Sequence, residues 1–149
     1  MKSVNTRLIT LATLAINVFV FAACATMQSI SVDQRSRIFD ADYMTTLKGA
    51  LDYLNTNGWQ ISNVDKDLGI VNTEFKTTSG LSALFTGDER WKINFTVQKV
   101  SATQTRVIAN MLYEQKSGLT GWTQANMTEG EAVDRYNKIL DGVGKAIVK

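Results

Sequence analysis

One stretch near the middle of the chain alternates strictly between apolar and polar residues. Over Arg90–Lys99 the apolar face is formed by Trp91, Ile93, Phe95 and Val97. Because successive side chains of a strand point to opposite faces, this pattern predicts a strand with one buried and one wet face, as in an antiparallel sheet. Arg106–Glu114 repeats the pattern, with one face formed by Val107, Ala109, Met111 and Tyr113. We therefore predict two neighbouring strands that share a core.

The segment from Asp42 to Asn57 has its apolar residues three and four positions apart, which is the spacing of one helix face. That stripe consists of Met44, Leu47, Leu51 and Leu54. Asp40 or Asp42 can cap the start by accepting backbone N–H bonds, and Gly58 supplies the left-handed backbone that often ends a helix. We predict a helix whose apolar stripe packs against the core.

A second helix is predicted at the end of the chain. Thr128 and Glu131 have the threonine-x-x-glutamate spacing of a capping box, in which each side chain accepts a backbone N–H bond of the other residue. Apolar residues then recur three and four positions apart, at Val133, Tyr136, Leu140, Val143 and Ile147. This stripe is also expected to pack on the sheet.

Three shorter segments, Arg35–Phe39, Trp59–Val64 and Ile70–Phe75, are predicted to be strands. Asp65–Gly69 joins the last two and is typical of a hairpin turn, with Gly69 at positive φ. The order strand, helix, two hairpins, helix is typical of an α+β domain of two layers. We predict an antiparallel sheet of four to five strands packed against two helices, in a helix-grip-like arrangement.

Two long connections are expected, residues 76–89 between two strands and residues 115–127 between the last strand and the final helix. In an antiparallel sheet both lie at the same end, where their large apolar residues form a rim of Leu81, Leu84, Phe85, Leu119 and Trp122. Such a rim suits a protein partner or the membrane interface, where tryptophan is favoured. The alternative is that these side chains fold back and cover the open end of the core.

The first 23 residues have the layout of a secretory signal peptide. Lys2 and Arg7 are followed by an uncharged apolar run, Leu8–Val20, and then by Ala22-Ala23. The run is shorter than the roughly 20 residues that span a bilayer, and this argues against a permanent membrane helix. We interpret residues 1–23 as a removed segment.

Cys24 is the only cysteine of the chain, and it follows Phe21-Ala22-Ala23 directly. This motif resembles the lipobox of bacterial lipoproteins, although Phe21 stands where that family usually has leucine. The resemblance implies that Cys24 is lipidated. The residues after it are small and polar without periodicity, so we interpret residues 24–34 as the lipidated cysteine and a short tether, and residues 35–149 have the length of a single domain. Since Ala25 and Thr26 replace the aspartate that retains many lipoproteins at the inner membrane, the resemblance also implies the periplasmic face of the outer membrane. Ordinary cleavage after Ala25 is the alternative.

Charge and composition narrow the possible functions. The chain has 16 basic and 14 acidic residues, and loss of Lys2 and Arg7 with the signal peptide leaves a net charge of zero. Without a basic run, nucleic-acid binding is not expected. Histidine is absent, which removes the usual general base and the commonest metal ligand. No cofactor or metal site is expected, and the candidate carboxylates Asp88 and Glu89 have no partner that the sequence identifies, so we predict that the protein is not an enzyme.

The segment from Ala50 through Trp59 to Val71 is similar to the helix-grip domains of Gram-negative lipoproteins, especially the BamC family of the outer-membrane barrel-assembly machine. The resemblance implies the fold and the lipoprotein class. The resulting expectation is a non-catalytic, lipid-anchored accessory or scaffold protein with an envelope protein as partner. The alternative is a carrier of a small apolar ligand held between helix and sheet. The oligomeric state is left open.

Overall fold

The computed structural model describes residues 30–78, 88–117 and 121–149. Within these residues, a 3-10 turn (Asp33–Arg35) leads into the first strand, and two α-helices are formed, α1 (Tyr43–Thr56) and α2 (Glu129–Ile147). The strands are β1 (Ser36–Phe39), β2 (Ile61–Asp65), β3 (Ile70–Thr73), β4 (Lys76–Thr78), β5 (Glu89–Lys99), β6 (Thr105–Ser117) and β7 (Gly121–Gln124). Every strand predicted from the sequence is present. Most of the observed strand ends differ from the predicted ones by one or two residues, and the end of β6 differs by three.

The sheet is organised around the long β5–β6 hairpin, which is paired from Glu89↔Gln115 to Lys99↔Thr105. The main strand order is β1-β6-β5-β3-β2, and every pairing is antiparallel. Both helices pack on one face of this sheet, and no helix of the described residues covers the other face, which we call the open face. The predicted α+β fold of two layers is confirmed.

The two long connections are shorter than predicted, because each contains a strand. β4 pairs with the start of β5, and β7 pairs with the end of β6. Their sequences are short and mostly polar, so they lack the alternation by which a strand is recognised. They pair because β5 and β6 extend beyond their other neighbours and leave backbone N–H and C=O groups to be satisfied. The prediction of strand-free connections over 76–89 and 115–127 is wrong at these positions.

β3 and β4 follow one another along the same edge of β5, and a buried threonine bridges the break between them. The Thr73 hydroxyl donates to the carbonyl oxygen of Ile93 (2.8 Å) and accepts from its amide (3.1 Å). Meanwhile the amide of Glu74 donates to the carbonyl of Gln60 (2.8 Å). The side chain thus satisfies the backbone groups that the strand leaves unpaired.

The core lies between the helices and the inner sheet face. Its buried apolar residues come from α1 (Leu47, Ala50, Leu54), the sheet (Val71, Ile93, Phe95, Val97, Val107, Ala109) and α2 (Ala132, Tyr136, Ile139, Leu140, Val143). Both predicted helix stripes are confirmed except at Met44, which is 60% exposed, and at Val133, which is half-buried and lies outside the core cluster. Met44 lies in the first turn of α1, where the sheet does not cover its side chain.

Candidate functional site

The predicted rim lies only partly within the described structure. Outside the described residues are Leu81, Leu84, Phe85 and Leu119, as well as Cys24. Trp122 is described: it is half-buried in β7 and pairs with Lys116 of β6. It lies on the open face of the sheet, opposite to the face that the helices cover.

Trp122 belongs to a cluster centred on an arginine. The guanidinium carbon of Arg90 lies 4.5 Å from the centroid of the Trp122 ring and 4.1 Å from that of Phe75. Its Nη2 is 2.5 Å from Oε2 of Glu114, with both side chains largely shielded from solvent. Cation–π contacts of this kind contribute about 0.5–2 kcal/mol. Trp122 therefore packs against its own domain, and we call Phe75, Arg90, Glu114 and Trp122 the arginine cluster.

A cleft of about 300 Å³ opens on the other side of the sheet, between the helices and the strands. We define the cleft by its lining residues: Tyr53, Trp59, Lys76, Thr78, Trp91, Ile93, Met111, Arg135, Lys138 and Ile139. Its floor is apolar, because it is formed by Ile93 and Ile139, which are buried with 2% and 6% of their surface exposed. Its walls are aromatic. This combination of a concave shape and apolar lining is typical of a small-ligand site.

Cations lie over the aromatic walls of the cleft. The guanidinium carbon of Arg135 is 4.2 Å from the centroid of Trp91, and Trp91 stacks on Tyr113 with centroids 4.0 Å apart. Lys76, the cross-strand neighbour of Trp91, has its Nζ 5.4 Å from the centroid of Trp59 and donates to the carbonyl of Asn57 (2.8 Å). The rings of Trp59 and Trp91 are thus each contacted by side chains from other elements of the fold.

A second cavity, of about 380 Å³, adjoins the cleft along the groove between α1 and α2. We call it the helix groove, and it is lined by Tyr53, Thr56, Asn57, Lys138, Gly142, Lys145, Ala146 and Lys149. Tyr53 and Lys138 line both cavities. The cleft and the helix groove are therefore neighbouring parts of one surface.

The tyrosines near the cleft are weak acids. Burial raises the pKa of Tyr53. Burial also raises the pKa of Tyr113, and its hydrogen bond to Glu89 Oε1 (2.8 Å) and the charge of that carboxylate raise it further. Both phenols are consequently neutral near pH 7 and act as hydrogen-bond donors rather than bases.

The two candidate carboxylates have partners that the sequence does not reveal. Glu89 begins β5 and accepts from Tyr113 across the β5–β6 pair. Asp88 Oδ2 lies 3.4 Å from Nζ of Lys116. Neither lies among the residues that line the cleft. Both side chains thus have a partner within the described residues.

The basic residues of the cleft were not singled out from the sequence. Lys76 follows β3, whereas Arg135 and Lys138 belong to α2, so only the tertiary structure brings them together. One signal was available: Arg135, Lys138 and Lys145 are three and seven residues apart, which places them on one stripe of α2 beside its apolar face.

The described helices, α1 and α2, include none with the length and hydropathy of a membrane-spanning segment.

Comparison with known proteins gives no family. No family model matches the chain, and no curated protein matches it. Among solved structures, it is similar to the adenylate sensor of AMP-activated protein kinase in complex with the ribofuranotide ZMP, with a TM-score of 0.47 and 10% identity over 72% of this chain and 93% of that one. A DUF4468 family protein from Bacteroides ovatus gives a TM-score of 0.44 and 12% identity over 79% of this chain and 89% of that one. Similarities this low support no conclusion about function.

Proposed function

We propose that this chain is a non-catalytic envelope protein that holds a small apolar ligand in the cleft between its helices and its sheet. The cleft carries this proposal. Its volume of about 300 Å³ is at the lower end of the range of ligand sites, roughly 300–1,000 Å³. Its buried aliphatic floor and aromatic walls provide apolar contact area, which favours ligand transfer from water by about 25 cal/mol per Å² buried.

The anchor is part of the proposal. The order of basic residues, apolar run and small residues before Cys24 supports lipidation of that cysteine and attachment to the periplasmic face of the bacterial outer membrane. Two or more acyl chains give a durable anchor, whereas a single chain binds a membrane only marginally. A tethered domain would then hold its ligand close to the lipid surface.

Two features support a non-catalytic role. The chain has no histidine, so general-base and nucleophile pairs that use imidazole are excluded. The titratable side chains among the described residues of the cleft are lysine, arginine and the phenol of Tyr53, and none of them is a carboxylate or an imidazole that could act as a general base.

A substitution on β4 tests the proposal without touching the core. Thr78 is exposed and lines the cleft, so Thr78→Trp should fill the cleft with its indole ring. Thr77 is its exposed neighbour, and its side chain points to the opposite face of the same strand. Thr77→Trp is therefore the matched control. Native mass spectrometry of the full-length protein, purified from its own membranes, measures the bound ligand.

We expect the native protein and Thr77→Trp to carry a small-molecule adduct, and Thr78→Trp to have lost it. Melting temperatures of the two variants should agree within a few degrees, which shows that both are folded. An adduct retained in Thr78→Trp, or no adduct in any of the three proteins, would refute ligand binding in the cleft.

A scaffold function is the second candidate, and the open face of the sheet favours it. This face is not covered by either helix and carries half-buried apolar side chains, among them Phe75, Ile108 and Leu112. Burying such a patch against another envelope protein would be favourable.

Crosslinking in intact cells followed by purification tests the scaffold function. If it holds, a specific protein should be recovered with the native chain and lost in Leu112→Asp. Leu68→Asp is the control, because Leu68 is 67% exposed on the β2–β3 turn. Equal recovery with both variants would exclude the open face as the docking surface.

A further inference from the structure

Among the described residues that line the cleft and the helix groove, every charged side chain is basic. Together the described lining residues include Lys76, Arg135, Lys138, Lys145 and Lys149, and no aspartate or glutamate. The whole chain has nearly balanced charges, with 16 basic and 14 acidic residues. The composition of the chain therefore does not explain why this surface lacks carboxylates.

Arg135 has carboxylates nearby, since Glu89 and Glu131 line an adjoining pocket with it, but the carboxylate nearest in sequence to Lys138 and Lys145 is paired elsewhere. Asp141 lies on α2 between Lys138 and Lys145 in sequence, yet it forms an ion pair with Arg37 of β1. No ion pair with another described residue involves Lys138, Lys145 or Lys149. Unneutralised like charges at one site repel one another, and a bound anion relieves that repulsion.

The helix ends account for only part of the arrangement. A cation in the last turn of a helix interacts favourably with the helix dipole, and this applies to Lys145 of α2. Lys76 belongs to a strand, but its Nζ donates to the carbonyl of Asn57 at the C-terminal cap of α1, so helix stability accounts for Lys76 as well. Lys138 lies in the middle of α2, and its position beside an apolar cleft is not explained by helix stability.

We propose that the cleft and the helix groove together bind an anionic amphiphile. Its apolar chain lies in the cleft, on the floor of Ile93 and Ile139 between the rings of Trp59 and Trp91. Its acidic headgroup, a phosphate or a carboxylate, lies over Lys138 at the junction of the two cavities and contacts Lys145 of the helix groove. This assignment rests on the proposed function and names the chemical class of its ligand.

The probes for this proposal are octyl phosphate, octanol and inorganic phosphate, added to the mature lipidated protein in phosphatidylcholine nanodiscs. Tryptophan fluorescence reports binding, because Trp59 and Trp91 line the cleft. Octyl phosphate should bind more tightly than octanol, since it adds contacts with the lysines to the same apolar contacts. It should also bind more tightly than inorganic phosphate, which lacks the chain. Its affinity should fall as salt is raised, whereas that of octanol should not.

The charge variant is Lys138→Gln with Lys145→Gln, and its control is Lys66→Gln with Lys99→Gln. The control removes the same charge from exposed positions in the β2–β3 turn and at the end of β5, away from the cleft. With about 0.2–1 kcal/mol for each exposed ion pair, the affinity for octyl phosphate should fall roughly fivefold in the charge variant. The affinity for octanol should be unchanged, and the control should behave as the native protein.

Each result supports or overturns a defined part of the proposal. Equal affinities for octyl phosphate and octanol, or equal losses in the charge variant and its control, would overturn the anionic headgroup and leave the apolar cleft standing. Inorganic phosphate binding as tightly as octyl phosphate would overturn the amphiphile, because the chain would then contribute nothing. Failure of both octyl compounds to bind would refute the proposed function itself.

Discussion

Gly69 is the residue at which the backbone most clearly requires glycine. Its φ is +69°, and a Cβ at this position would lie 2.1 Å from the carbonyl oxygen of Val97. The close approach is maintained by the Val97 amide, which donates to the Gly69 carbonyl (2.7 Å). The predicted turn at Asp65–Gly69 is confirmed, and Asp65 Oδ1 accepts from the amides of Asp67 and Leu68. The turn thus joins the β2–β3 hairpin to β5.

Gly69→Ala is expected to lower the free energy of unfolding by at least about 2 kcal/mol, because it combines a left-handed backbone with a clash against another strand. Chemical denaturation measures the loss. Gly130→Ala is the control, since a Cβ there meets no atom within 4 Å; it should leave stability unchanged or raise it by up to about 1 kcal/mol. Equal effects of the two substitutions would contradict this explanation.

At the scale of elements, the two helices approach one another through glycines. A Cβ at Gly49 of α1 would lie 2.5 Å from Cγ1 of Ile147, and one at Gly142 of α2 would lie 2.2 Å from Cε2 of Tyr53. Such contacts are too close for any side chain larger than hydrogen. The position of Tyr53, and with it the wall shared by the cleft and the helix groove, depends on this close packing.

Gly49→Ala should therefore destabilise the protein by about 1–3 kcal/mol, as overpacking of a tight contact does. Lys48→Ala is the control, because Lys48 is the exposed neighbour on the same helix. Thermal melting followed by circular dichroism compares the two. A Gly49→Ala protein as stable as the control would show that α1 and α2 can separate here without cost.

The cap at the start of α1 makes the stability of the fold depend on pH. Asp42, rather than Asp40, is the cap: Oδ1 accepts from the amides of Met44 (2.9 Å) and Thr45 (3.1 Å), and Oδ2 accepts from the Thr45 hydroxyl (2.7 Å). The hydrogen bonds from Thr45, first from its hydroxyl, lower the pKa of Asp42 below its usual range. A lowered pKa means that the stabilisation is fully present above the pKa of the unfolded chain and is lost as pH falls through the folded value.

Asp42→Ala should lower the melting temperature most at pH 6, and its deficit relative to the native protein should shrink as the pH approaches 2. Asp52→Ala removes an exposed carboxylate from the middle of the same helix and should show no such convergence. Melting curves at several pH values for the three proteins make the comparison. A deficit that stays constant from pH 6 to pH 2 would show that the Asp42 charge does not contribute.

At the scale of the whole molecule, the strand directions place the candidate surfaces. β1 runs antiparallel to β6, as predicted, so it runs away from the end at which β4, β5 and β7 meet. The cleft and the arginine cluster lie on opposite faces of the sheet near that end. Ligand binding and protein docking would consequently use separate surfaces of the same domain.

The proposed anchoring through Cys24 can be tested by lipid labelling of the whole chain. Cells grown with radioactive palmitate should label the native protein, and Cys24→Ser should remove the label, because serine has no thiol to receive the diacylglycerol. Cys24→Ala is a second variant that also lacks the thiol and should behave in the same way. A mature N-terminus at Thr26 without label would instead support ordinary cleavage after Ala25.

The sequence by itself determined the helices, the main strands and the caps, because these depend on local periodicity and on hydrogen bonds within a few residues. Strict alternation identified β5 and β6, and the spacing of Thr128 and Glu131 identified the capping box. These features require no knowledge of distant contacts. The same holds for the exclusions that follow from the absence of histidine.

Only the tertiary structure decided where the candidate site lies. β4 and β7 exist because free edges of longer strands accept them, and their own sequences carry no strand pattern. The cleft joins Trp59, Lys76 and Trp91 to Arg135 and Lys138 of the last helix. These residues are far apart in the chain, and their juxtaposition depends on how the helices cross the sheet. Long-range packing of this kind follows from the summed burial of the core, so no local pattern reveals it.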